Sequence, residues 1–123
     1  MDSFYGRAVF FVRDGARSLA FYTESLGFSL NWNQEVDGRP FVFEVGLFGF
    51  QLILNQTESY STARAGHGRV FVGLDREQSE ALQRHIEAKG IATTTVDWGR
   101  PTLVIRDPDE NELFFWLGPD PNN

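Results

Sequence analysis

Apolar and polar positions along the chain fall into two similar series. In FFVRDGARSLAFYTESLGF (residues 10–28) an apolar run meets Asp14. A helical stripe of Leu19, Tyr22 and Leu26 follows, closed by Gly27. In FVGLDREQSEALQRHIEAKGI (residues 71–91) the same order returns, with Asp75, a stripe of Ala81, Leu82 and Ile86, and Gly90. The offset from Asp14 to Asp75 is 75 − 14 = 61, and from Ser18 to Ser79 it is again 79 − 18 = 61. Between the closing glycines it is 90 − 27 = 63, which places a small insertion in the second helix. Asp75 with Gln78 three residues on makes a capping box, so the pattern predicts helices over 15–26 and 75–89.

Each series continues as strands. Phe28, Leu30 and Trp32 alternate with Ser29, Asn31 and Asn33, the period of a half-buried strand. Asp37-Gly38 is a hairpin signal, because both central residues of that turn take positive φ. Strands are predicted over 40–46 and 50–55, then over 68–74, Thr-rich 92–97, 101–106 and 111–117, the last two joined at Asp107-Pro108-Asp109. Each series thus reads βαβββ. The chain is one α+β domain over 1–123, with module one at about 5–56, a polar linker at about 57–67 and module two at about 68–118. No element is predicted for the Pro- and Asn-containing tail, 118–123.

Composition narrows the chemistry. The 123 residues are 41% hydrophobic and carry a net charge of −6, which argues against binding a phosphate backbone. There is no cysteine, hence no disulfide, thiolate nucleophile or thiolate zinc site. No apolar run approaches a membrane span, and Met1-Asp2-Ser3 does not open a secretory signal, so a cytoplasmic protein is expected. Nothing matches a nucleophile elbow or a phosphate-cradling loop. Aromatic residues reach 15%, with 12 Phe, enough for some to line a cavity as well as a core.

Two segments, RDGARSLAFYTESLGF (13–28) and VIRDPDENELFFW (104–116), resemble signatures of the vicinal oxygen chelate superfamily, which includes glyoxalase I, extradiol dioxygenases, and fosfomycin and bleomycin resistance proteins. The resemblance covers residues 6–117 and implies two βαβββ modules forming a curved mixed sheet around a ligand cup, with helices on the convex face. Metal-dependent members place one ligand on the first strand of each module and another on the last. Here the first-strand positions carry Arg7 and Arg69, and the last-strand positions Ile53 and Phe114. None of these is a conventional ligand, so the resemblance implies the fold without metal or other cofactor. A relocated metal site would have to draw on His67, Glu44 and Glu112.

Alternation assigns Arg7, Ile53, Arg69, Phe71, Glu112, Phe114 and Trp116 to the cup face and puts Trp32 and Trp98 near its rim. Phe41 and Phe43 share one face of their strand, and the pattern leaves open which one. Such a surface suits a flat aromatic ligand, and a positively charged one would also gain from Glu35, Asp37, Asp97 and Glu112. Length, acidity, the missing ligands and the run Trp98-Gly99-Arg100 ahead of a strand and RDP most resemble the bleomycin resistance group. That likeness implies a homodimer that sequesters an aromatic antibiotic without making or breaking bonds. The alternative is an enzyme of the same superfamily with a relocated metal or none.

Overall fold

The computed structural model describes residues 5–117; the tail lies outside them. Module one runs β1 (Ala8–Val12), α1 (Gly15–Ala20), a π-helical turn (Phe21–Ser25), β2 (Ser29–Val36), β3 (Arg39–Leu47) and β4 (Phe50–Gln56). The linker holds a 3-10 segment, Ser59–Arg64. Module two runs β5 (Arg69–Gly73), α2 (Arg76–Lys89), β6 (Thr94–Asp97), β7 (Pro101–Arg106) and β8 (Glu112–Trp116). Each module closes its own four-stranded mixed sheet, in the orders β1-β4-β3-β2 and β5-β8-β7-β6. The first strand pairs in parallel with the last, and the other pairs are antiparallel. Among the described residues no helix is long and apolar enough to cross a membrane.

The repeated signals act alike in both modules. Asp14 accepts from the Arg17 N–H, and Asp75 and Gln78 complete the capping box. Gly27 and Gly90 both take positive φ, +81° and +64°, where a side chain would be strained. The first helix departs from expectation. After Ala20 it widens, so that the Leu26 N–H reaches back to the Phe21 carbonyl, and the wide turn carries Tyr22 wholly buried.

One core joins the helical faces of both sheets. Phe10, Val12, Leu52 and Leu54 of module one pack with Val72, Leu82, Leu113 and Phe115 of module two. A buried polar latch crosses the same seam. The Asp107 carboxylate accepts from the Tyr22 hydroxyl at 3.0 Å, from Asn111 Nδ2 at 2.9 Å, and from the backbone N–H groups of Asp109 and Asn111. Asn111 Nδ2 also donates to the Phe11 carbonyl, and Asp109 pairs with Arg13 at 3.0 Å. What the sequence marks as a turn is therefore the inter-module fastening. The helical sides pack inward, and the opposite face of each sheet is left open.

Two bulges re-aim side chains on the open face of module one. The β2–β3 register skips Asn31 between Leu30 and Trp32, and skips Phe41 between the pairs Gln34–Val42 and Glu35–Pro40. The second skip resolves the face of the two phenylalanines. Phe43 stands opposite Leu54 and is fully buried in the core, so its place among the cup residues is corrected. Phe41, displaced by the bulge, borders a cavity with Phe11 and Asn55 of the open face.

Candidate functional site

The open face of module one is built on one ion pair. Arg7 Nε donates to Glu44 Oε1 at 3.0 Å, and Asn31, turned by its bulge, donates to Oε2 at 3.0 Å. These bonds hold the Glu44 carboxyl below its usual range, with the Asn31 bond the largest cause, although burial pulls the other way. The Trp32 indole adds a hydrogen bond to the same carboxylate, yet the ring remains half exposed. Ile53 lies beside Val9 in the parallel pairing and is half-buried, whereas Val9 is 48% exposed.

The open face of module two is aromatic. Phe71, Phe114 and Trp116 line it from neighbouring strands, and the β6–β7 hairpin folds Trp98 over them. That hairpin is set by the Asp97 carboxylate accepting from the Gly99 N–H and by the Trp98 N–H donating to the Arg100 carbonyl. Trp98 stacks on Phe114 with centroids 4.6 Å apart and planes 12° apart, and it lies nearly parallel to Phe71 at 6.2 Å. Phe71 meets Trp116 at 5.7 Å, and the Arg100 guanidinium covers the Trp116 ring at 3.7 Å. Because Trp98 covers it, Phe114 is only 4% exposed, so the exposed stacking surface is Trp98 (45%) and Phe71 (48%). Beside them opens a cavity of about 200 Å³ bordered by Arg69, Val70, Phe71, Trp98 and Phe114.

Glu112 bridges two arginines beside this face. Glu112 takes Arg69 Nε at 3.1 Å on one oxygen and Arg106 Nη2 at 2.9 Å on the other. It is therefore engaged by two guanidiniums and is a poor partner for a cationic ligand. A larger cavity, about 240 Å³, opens at the Asp37-Gly38 end of module one, but Phe41 is its one aromatic wall. It offers less to a flat ring than the Trp98 face.

The residues do not fit a metal centre. The first-strand positions hold Arg7 and Arg69, and both nearby carboxylates, Glu44 and Glu112, are taken up by guanidinium groups. His67 turns its ring Nε2 to the Ala63 carbonyl at 3.0 Å, and His85 turns its own to the Ser25 carbonyl at 2.6 Å. Among the described residues no group of three or more His, Asp or Glu side chains is placed to hold an ion, so the relocated set of His67, Glu44 and Glu112 is not assembled.

Two carboxylates give opposite pH signatures. Glu44, held low in the folded chain, contributes stability above its unfolded range, and this is lost as pH falls through its folded value. Burial raises the Asp107 carboxyl, outweighing the bonds from Asn111, Tyr22 and Asp109. Its contribution is therefore best at low pH and declines as pH rises through its folded value. The expected outcome is that Glu44→Gln flattens the fall in Tm below pH ~4, since glutamine has no proton to gain. A Tm-against-pH series on both proteins checks it; an unchanged acid limb would mean that the Arg7 and Asn31 bonds do not govern Glu44.

The comparisons agree with this architecture. The family model described as "Glyoxalase/Bleomycin resistance protein/Dioxygenase superfamily" matches residues 5–115. No curated protein matches the chain. Among solved structures, the bleomycin-binding protein from bleomycin-producing Streptomyces verticillus, complexed with copper(II)-bleomycin, is 18% identical with a TM-score of 0.72, covering 97% of this chain and 100% of that one. TnmS3, an antibiotic binding protein from Streptomyces sp. CB03234, is 21% identical with a TM-score of 0.63, covering 98% and 100%. A lactoylglutathione lyase from Agrobacterium tumefaciens is 18% identical with a TM-score of 0.64, covering 93% and 92%. At these identities the likeness is one of fold.

Proposed function

The chain belongs to the Glyoxalase/Bleomycin resistance protein/Dioxygenase superfamily, and we propose that within it the protein is a metal-independent binder that sequesters a planar aromatic small molecule of the antibiotic type. The observation that carries this reading is the exposed stack of Trp98 and Phe71 beside a cavity of about 200 Å³, on a face whose metal positions hold Arg69, paired with Glu112, and Phe114, covered by Trp98. Two structurally similar proteins bind antibiotics, one of them bleomycin, and this supports the same class of ligand here. Affinity would come from stacking and from removing apolar surface from water, with no chemical step required.

The functional unit in this proposal is a homodimer. Val9, Leu30 and Trp32 on one sheet, and Phe71 and Trp98 on the other, are each more than 40% exposed in the single chain. Apolar surface of that extent on a small soluble domain marks an interaction site. A second chain would place a facing sheet over each and turn the open faces into clefts. Sedimentation equilibrium is expected to give about twice the 14.0 kDa chain mass; a monomer at ~100 μM would contradict it.

The functional test is a tryptophan fluorescence titration of tag-free protein, kept in EDTA, with metal-free bleomycin and a panel of planar antibiotics. Saturable quenching by at least one ligand, unchanged by EDTA and with the ligand recovered intact by mass spectrometry, is the expected result. Quenching only on adding a transition metal, or recovery of a converted ligand, would overturn the reading.

A further inference from the structure

The cavity beside Trp98 has one charged wall, and it is a cation. Of the residues bordering it, only Arg69 is ionic; Val70, Phe71, Trp98 and Phe114 complete it. The Arg69 guanidinium lies 4.6 Å from the Phe114 centroid, at the edge of the aromatic stack. It meets Glu112 through Nε while its side chain stays 61% exposed. Arg106 occupies the other oxygen of the same carboxylate. Two guanidiniums on one carboxylate leave a local balance of 2 − 1 = +1. Module one differs, since Arg7 and Glu44 pair one to one. The excess at Trp98 is also opposite in sign to the chain as a whole, which carries −6.

We infer that the ligand of the module-two face is a planar aromatic anion, its ring lying on Trp98 and Phe71 and its acidic group, of the carboxylate class, directed to Arg69. This rests on the binding function proposed above and adds the charge of the ligand to it. Guanidinium presents a planar set of donors that matches a carboxylate geometrically, and it remains charged at any pH the protein meets. The aromatic walls exclude water on one side, which strengthens the attraction over that of a fully solvated pair. A cationic ligand at the same place would face Arg69 directly, and Glu112, the carboxylate beside Arg69, is already shared by two arginines.

Three probes with one ring system test this: 2-naphthoate, 2-naphthalenemethanol and 2-naphthylmethylammonium, titrated calorimetrically into the full chain. Naphthoate is expected to bind about tenfold more tightly than the alcohol, with the ammonium weakest, and the gap should narrow as salt rises from ~0.02 to ~0.5 M. In Arg69→Gln the naphthoate advantage over the alcohol should vanish; Glu112 retains Arg106, and the Tm of the variant verifies that the face stays folded. Equal affinities for the three, or the ammonium tightest, would overturn the anionic assignment and leave the aromatic binding function standing. No binding by any of the three at millimolar concentration would overturn the anionic assignment, and the antibiotic titration decides the binding function separately.

Discussion

Replacing Phe43 by alanine is expected to cost about 3–5 kcal/mol of unfolding free energy. Its ring is fully buried, stands opposite Leu54 in the β3–β4 register, and belongs to the core shared by both modules. Truncation removes the transfer energy of an aromatic ring and leaves a void that close-packed neighbours fill only in part. A loss of that size is a large fraction of the ~5–15 kcal/mol that holds such a domain together. Phe41→Ala, two residues away but displaced by the bulge to a half-buried position, should cost about 1 kcal/mol. Urea unfolding of both variants decides the matter. A Phe43→Ala loss no larger than that of Phe41→Ala would mean that Phe43 does not support the core.

Asp107→Ala is expected to be comparably severe, about 3–5 kcal/mol, although it removes only a small side chain. The carboxylate is the acceptor for four donors: the Tyr22 hydroxyl, Asn111 Nδ2, and the Asp109 and Asn111 amides. Without it the Tyr22 hydroxyl and the two amides lack an acceptor and Asn111 Nδ2 keeps only the Phe11 carbonyl, at about 1–3 kcal/mol for each lost bond before relaxation and with poor additivity. In the native chain burial pushes the Tyr22 hydroxyl well above its usual range, with the Asp107 charge adding to the effect, so it stays protonated as the donor of this bond. Asp107→Asn should be milder, because its amide can donate to the Tyr22 oxygen, though Asn111 Nδ2 loses one acceptor. Tyr22→Phe should cost about 1–2 kcal/mol. A double-mutant cycle on Tyr22 and Asp107 measures the coupling across the seam; additive losses would show that the two residues do not communicate.

These sites mark where the sequence was informative. The repeat was legible because local physics dictates it: Asp14 and Asp75 both cap helices, and Gly27 and Gly90 both end them in left-handed backbone. The faces of β1, β4, β5 and β8 were legible because period-2 alternation runs unbroken through them. The face of β3 was not, because a bulge at Phe41 breaks the period and the register with Leu54 is set by tertiary packing. The cross-strand pairs Arg7–Glu44 and Arg69–Glu112 depend on register in the same way. Sequence placed Trp98 near a rim; its flat contact with Phe114 depends on how the Asp97–Arg100 hairpin folds back. The Asp107 latch had a signal that sequence reading passed over. An Asp with Asp and Asn two and four residues on can bond its own following backbone, which points to more than a turn.

The central claim is that the Trp98 face of module two binds a planar aromatic molecule, and the three indole N–H signals of Trp32, Trp98 and Trp116 in a nitrogen-15 correlation spectrum test it most directly. With Trp→Phe variants fixing the assignment, titration of the metal-free protein with planar antibiotics and 2-naphthoate should move the Trp98 signal saturably, and Trp98→Ala should weaken binding at least about tenfold. If Trp98 stays in place with every ligand in a folded protein, or if Trp98→Ala binds as tightly as the native chain, the account of this face is contradicted.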